Sequence, residues 1–319
     1  MIRETDCRAL PDPQILRPLS GYYIRGDMAG AMRFLEDVPE LQELLDAYIS
    51  IFEKENYIRY DLPDDLNAVL LIYQQYFRDV FYLRLPEQEA AASLLQKLRT
   101  AVSLPDGDET ALAEALERRF SRAGWHILCG KTNGHYGPYV WKTTVPTVFS
   151  VELPDTVSRY TVNLLRDFVL RSWMDYLTFG EFGTGGWASP DGTINCVESA
   201  YDLESEKFRV SLLKHEAQHA EDMRRWPEIT PPELEYRAKL VELIYTEQTN
   251  LLEKFRAEAA ADRTADSHAA ASARIQEAFG TAAGKGIPEI RELARTLFVR
   301  STAEMERKYP SPKGVCCEN

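Results

Sequence analysis

Apolar positions recur at helical spacing through most of the N-terminal third of this chain. Residues 29–36, 38–54, 66–82 and 86–102 each carry an apolar stripe at i, i+3, i+4, interrupted at Asp61-Leu62-Pro63-Asp64-Asp65 and Leu85-Pro86. The pattern predicts a helical N-terminal region over 1–104. Its aromatic residues Tyr57, Tyr60, Tyr73, Tyr76, Phe77, Phe81 and Tyr82 follow the same spacing, which predicts inward packing rather than a substrate-docking wall. Ser103-Leu104-Pro105-Asp106-Gly107-Asp108 is dense in turn formers and is read as a domain boundary.

Past that boundary the pattern changes. Residues 110–123 read as a helix, and 125–129, 139–143 and 147–153 alternate as strands around the loop 130–138, whose His135 is read as exposed. Residues 155–178 are apolar at helical spacing (Val157, Val162, Leu164, Leu165, Phe168, Val169, Trp173, Leu177) and are read as a helix. Residues 182–188 and 193–198 flank Pro190-Asp191-Gly192, a hairpin signal. Helices are then predicted over 205–225, from Thr230 onward, over the alanine-rich 251–279 with a break near Thr264-Ala265-Asp266-Ser267, and over 288–308. The expected organisation is α+β and mostly helical: an N-terminal region 1–104, a second domain 105–309 and a flexible tail 310–319. Residues 280–286 have too few residues between glycines for a phosphate loop and end in Gly286 instead of Ser or Thr, so a helix cap and turn is expected there.

The chemistry concentrates in His215-Glu216-Ala217-Gln218-His219. Two imidazoles four residues apart share one helical face and reach one metal ion from the same side, and the glutamate beside them is free to take a proton from water. The apolar stripe Phe208, Leu212, Leu213, Ala217, Ala220, Met223 sets both histidines at the border of core and solvent, where a cleft-lining ligand stands. A catalytic zinc needs a third protein ligand. The extension HExxHxxGxxH fails, with Asp222 in place of its glycine and Arg225 in place of its histidine. A carboxylate-bridged di-iron site fails as well, since no second ExxH follows Glu216-Ala217-Gln218-His219. On the next helix, Thr230 and Glu233 form a T-x-x-E capping box, so Glu233 is expected to turn back to Thr230. Glu235 has no evident cap or partner beside the stripe Leu234, Ala238, Val241, Tyr245, and is read as the third ligand. Glu242, two turns on, is the reserve ligand or a group that orients an imidazole.

On these residues, HEAQHAED (215–222) followed by ELEYRA (233–238), the chain resembles the gluzincins, zinc metallopeptidases with HExxH on one helix and a glutamate ligand on a later one. The likeness covers about 191–245. It implies a zincin-like domain: a small twisted sheet, a backing helix over 155–178 and the HExxH helix, with helical additions at either end. It implies one Zn2+ per chain on His215, His219 and Glu235, Glu216 as general base, and a peptide or protein substrate. Substrate is expected to lie along a cleft strand, for which 193–197 is the candidate. In this group an acid at the position of Asp222 often braces a metal-binding histidine; an i,i+3 pair with Arg225 is the plainer reading. The oxyanion donor is left among Tyr201, Tyr236, Tyr245, His135 and Arg237. The rival expectation is a non-catalytic zincin-like protein that binds a partner through its helical N-terminal region.

Composition narrows the setting. A formal charge of −13 with no long basic run argues against nucleic acid and anionic membranes as partners. There is no apolar run of spanning length, and Met1-Ile2-Arg3-Glu4-Thr5-Asp6-Cys7 lacks the apolar core of a signal peptide, so a cytoplasmic protein is expected. Cys7, Cys129, Cys196, Cys316 and Cys317 are odd in number and scattered, unlike a disulfide framework.

Overall fold

Several helices begin where the sequence supplies a capping side chain. The computed structural model describes residues 13–189, 191–259, 267–280 and 286–310. Cys7, Pro190, Cys316, Cys317, the expected tail beyond residue 310, and most of the break near 264–267 and of the 280–286 turn lie outside them. The chain divides into two compact units, Met1–Thr143 with Asp167–Gly183, and Thr144–Arg166 with Thr184–Asn319.

The first unit opens with α1 (Pro13–Ile24), α2 (Met28–Glu36), α3 (Gln42–Tyr48), α4 (Asp64–Phe77), α5 (Glu87–Ala101) and α6 (Glu109–Arg122). Asp27 accepts a hydrogen bond from Gly30 N at the start of α2, and Asp108 from Ala111 N at the start of α6. Both α3 and α4 run on into a π-helical turn, Ile49–Glu53 and Arg78–Tyr82. The expected aromatic core is present in part: Tyr73, Tyr76, Phe77 and Phe81 are buried with Tyr48 and Phe52, while Tyr57, Tyr60 and Tyr82 are half-buried. Short strands follow, β1 (His126–Leu128), β2 (Lys131–Thr132), β3 (His135–Tyr136) and β4 (Tyr139–Trp141). Asn133 and Gly134 both take positive φ between β2 and β3, the backbone a two-residue hairpin turn requires.

The boundary expected at 104/105 falls elsewhere. Leu112, Leu116 and Phe120 of α6 are buried in the same core as Leu94 and Leu98 of α5, so 103–108 is a turn within one unit, and the break comes at Thr143/Thr144.

The helix expected over 155–178 is replaced by three elements. After β5 (Thr143–Glu152) comes β6 (Val157–Arg166), then β7 (Leu170–Arg171) and α7 (Ser172–Leu177), which belong to the first unit. Tyr160, Val162 and Leu164 are buried while Arg159 and Thr161 are exposed, so the burial period is two rather than 3.6. β8 (Gly186–Ala188) and β9 (Ile194–Val197) form the expected hairpin, closed by Ser189 N to Thr193 O at 2.7 Å, with Gly192 at φ +82°. The sheet order is β5-β6-β9-β8: β9 pairs with β6 in parallel (Val162↔Ile194) and with β8 antiparallel (Gly186↔Cys196).

The second unit is completed by α8 (Glu206–Phe208), a π-helical segment Arg209–Lys214, α9 (His215–Arg225), α10 (Pro231–Tyr245), α11 (Asn250–Glu258), α12 (Ser267–Phe279) and α13 (Ile287–Lys308). Its core joins Val162, Leu164 and Ile194 of the sheet to Phe208, Leu212, Ala217, Leu240, Val241 and Phe298 of the helices. The fold is therefore α+β with small sheets and mostly helical, as expected. Among the described residues, no helix is long and apolar enough to cross a membrane. Cys129 and Cys196 are free thiols.

Candidate metal centre

The π-helical segment Arg209–Lys214 runs directly into α9, so the wider turn ends where the first histidine begins. Such segments are uncommon and frequent at functional sites. Ala217 at the centre of α9 is fully buried, which seats the helix against the sheet and leaves His215 and His219 at the edge of the core, 7 % and 8 % exposed. Their Nε2 atoms lie 2.9 Å apart, with the ring planes at 81°. On α10 the capping box is formed, Thr230 N donating to Glu233 Oε2 at 3.2 Å, and Glu233 also receives Lys308 Nζ at 2.7 Å. Glu233 is thus spent at the helix end, as expected.

Glu235 faces the two imidazoles instead. Its Oε1 stands 3.4 Å from His219 Nε2 and its Oε2 3.4 Å from His215 Nε2. His215, His219 and Glu235 each offer one ligand atom, all within 4.8 Å of one another, and together they can hold a metal ion. The surroundings match that chemistry. The Glu235 side chain is 12 % exposed and faces imidazoles through both oxygens, and a desolvated carboxylate so placed suits a cation. Glu242 accepts from His215 Nδ1 at 2.8 Å, so it orients the imidazole and stands outside the group of His215, His219 and Glu235. Of its two expected roles, the structure has the second.

The charges are strongly coupled. Burial alone would lower the His215 imidazole, but hydrogen bonds to Glu235 and Glu242 outweigh it and raise it from 6.5 to about 10. Burial would raise Glu235, yet its contacts with His215, His219 and His268 hold its carboxyl far below the usual range.

Asp222 follows neither expected course. It accepts from Arg237 Nε and from Gln218 Nε2, each at 2.8 Å, with the Asp222 and Arg237 side chains both 1 % exposed. Arg237 also reaches Thr302 at 3.0 Å, so Asp222 ties α9 to α10 and α13. Arg225 pairs instead with Glu306. His219 Nδ1 is buried with no hydrogen-bond partner among the described residues.

A cleft of about 460 Å³ opens onto the three donors, lined by β8, Glu216, Met223, Leu234 and His268. Glu216 is half-buried in its wall and makes no hydrogen bond or ion pair with another described residue, which leaves its carboxylate available. β9, expected to lie along a bound peptide, is paired on both edges; β8 is the edge strand and the one that lines the cleft. None of the five candidate oxyanion donors lines it. Arg237 is engaged by Asp222, Tyr236 lies under the Arg274 guanidinium at 3.8 Å, Tyr245 under Lys214 Nζ at 3.8 Å, and His135 packs on Phe81 and Trp173 in the first unit. Tyr201 alone feels the site: burial first, then the charges of Cys196, Glu216 and Glu242, push its hydroxyl up to about 12.

One residue was not foreseen. His268, on the first turn of α12, brings Nδ1 to 2.9 Å from Glu235 Oε2. Only the scarcity of histidine, five in 319 residues, marks it in the sequence. In comparisons with known proteins, no protein-family model, curated protein or solved structure matches the chain.

Proposed function

We propose that this chain is a zinc-dependent metallopeptidase, with its second unit a zincin-like catalytic domain of the gluzincin type. The observation that carries the reading is the convergence of His215, His219 and Glu235 beside Glu216, which has no partner among the described residues, in a cleft bordered by β8, the last strand of its sheet. Two imidazoles and one carboxylate suit zinc and leave room for water and substrate. Zinc held there would supply a Lewis-acidic centre that brings the pKa of water toward neutrality.

The protein's own groups do the rest. Glu216 accepts a proton from the attacking water on a carboxylate oxygen and then delivers it to the departing amine. Glu242 holds the His215 ring through Nδ1, so that Nε2 faces the donors. The backbone groups on the outer edge of β8 can add an extended peptide as a further strand, with Trp187 beside it and the carbonyl to be cleaved set near Glu216. A chain that reacts with peptides need bind neither nucleic acid nor membrane, in keeping with its charge of −13.

The test is turnover of a mixed quenched-peptide library by the purified chain, with and without a zinc chelator. Cleavage that disappears with chelator and returns with zinc is the expected result. A chain that binds zinc tightly and cleaves nothing in such a library would overturn the peptidase reading and favour a non-catalytic binding protein.

A further inference from the structure

We infer that His268 is a positioning residue for the metal centre, one that fixes the Glu235 carboxylate and selects which of its oxygens meets the ion. The inference rests on the metal-site reading above and adds a fourth side chain to it. Glu235 lies across the two ring nitrogens, with Oε1 toward His219 and Oε2 toward His215, each at 3.4 Å. Alone, that arrangement is close to symmetric, and a carboxylate so placed can rock between one-oxygen and two-oxygen binding. His268 breaks the symmetry. Its Nδ1 stands 2.9 Å from Oε2, so two imidazoles face that oxygen and one faces Oε1.

The way α12 is built supports this role. Ala269, Ala271, Ser272 and Ala273 are buried, and small side chains let α12 approach α10 closely. Two polar ties hold the same pair of helices in register. Glu258 of α11 accepts from both Lys239 of α10 (2.6 Å) and Ser272 of α12 (2.9 Å), and the Arg274 guanidinium of α12 lies 3.8 Å from the Tyr236 ring of α10. The helix that carries His268 is therefore fixed to the helix that carries Glu235, and the contact between the two side chains follows from that docking. His268 itself is 56 % exposed, on the cleft side of Glu235. Groups that orient a metal ligand from outside change metal affinity by roughly 10- to 100-fold when removed.

The experiment compares the wild-type chain with His268→Leu and His268→Asn, all metal-free at the start. Zinc affinity is read by competition with a chromophoric chelator, and the geometry of the bound ion by the visible absorption of the cobalt(II) form. Because the side chain is largely exposed, the melting temperature of the metal-free variants is expected to match wild type. His268→Leu should weaken zinc by about 10- to 100-fold and alter the cobalt spectrum. His268→Asn, whose Nδ2 can stand where the histidine Nδ1 stands, should restore both. A leucine variant with wild-type affinity and an unchanged cobalt spectrum overturns the inference while the metal site stands, and so does an asparagine variant as weak as leucine. A wild-type chain that takes up no metal at all overturns the metal-site reading and this inference with it.

Discussion

Glu216 and Glu235 line the same cleft, but only Glu235 faces the two imidazoles, and single substitutions separate them. Glu216→Gln keeps size and removes the basic oxygen; zinc is expected to remain at full stoichiometry while peptide hydrolysis falls by roughly 10²- to 10⁴-fold. Glu235→Ala removes a ligand and the negative charge that faces both rings, so zinc binding itself should weaken and excess zinc should restore part of the activity. Unchanged zinc affinity in Glu235→Ala, measured by equilibrium competition, would remove Glu235 from the site. Asp222 offers a different contrast, since it holds Arg237 and no metal ligand. Asp222→Ala leaves a guanidinium buried and unpaired, and should cost about 3–5 kcal/mol in denaturant unfolding. A loss below about 1 kcal/mol, the range of an exposed pair, would show that water reaches Arg237. The grouping of His215, His219 and Glu235 was legible because HExxH puts two histidines on one helical face, and because Glu233 could be assigned to its cap, leaving Glu235. His268 was not legible. It lies 33 positions beyond Glu235 on another helix, and only the docking of an alanine face brings it back.

At the level of elements, β8 is a three-residue strand whose position depends on one missing side chain. A Cβ at Gly186 would come within 2.6 Å of Asn195 O and of Leu212 Cδ1, so Gly186→Ala must push β8 away from β9. Displacing a substrate-positioning strand by about 1 Å costs on the order of 10²-fold in turnover; kcat/KM should fall accordingly while zinc stays bound. Zinc lost together with activity would mean that β8 supports the metal site as well. The junction of α10 and α13 gives a pH-dependent counterpart. Burial would raise Glu233, but Lys308, Thr230 and Tyr309 lower it from 4.5 to about 2. A group depressed in the folded state contributes stability that is complete above the unfolded value and vanishes as pH falls through the folded one. Wild type should therefore be more stable than Glu233→Gln above pH 4.5, and the gap should close toward pH 2 in thermal melts. A gap independent of pH would contradict the ion pair. Elements with one clear period were legible, as in α2, α4, α5 and α9. The stretch 155–178 was not, because Val162, Leu165, Val169 and Trp173 satisfy a helical spacing while Tyr160, Val162 and Leu164 satisfy a strand; pairing with β9, invisible in the local sequence, decided it.

For the whole molecule, every group of the metal centre belongs to one unit, which localises what the ion does. An ion that binds the native state alone would stabilise it by about 2.7 kcal/mol at a hundred times its Kd. Amide exchange with and without zinc should therefore slow in α9, α10, α12 and β8, the elements that carry or flank the ligands. Protection no greater there than in α4 would argue that zinc binds elsewhere. The chain path has a further consequence. It enters the second unit with β5 and β6, returns to the first for Asp167–Gly183, and leaves again at Thr184. On a ribosome adding about 5–20 residues per second, β6 emerges before its partner β9 exists, and the first unit lacks Trp173 and Tyr176 from its core until after the β5–β6 pair has passed. Neither unit can close in simple N-to-C order. The two histidines likewise appear before Glu235, and Glu235 before His268, so a nascent chain holds an incomplete chelate for some seconds, and specific metal loading is expected only once the last helices have left the exit tunnel.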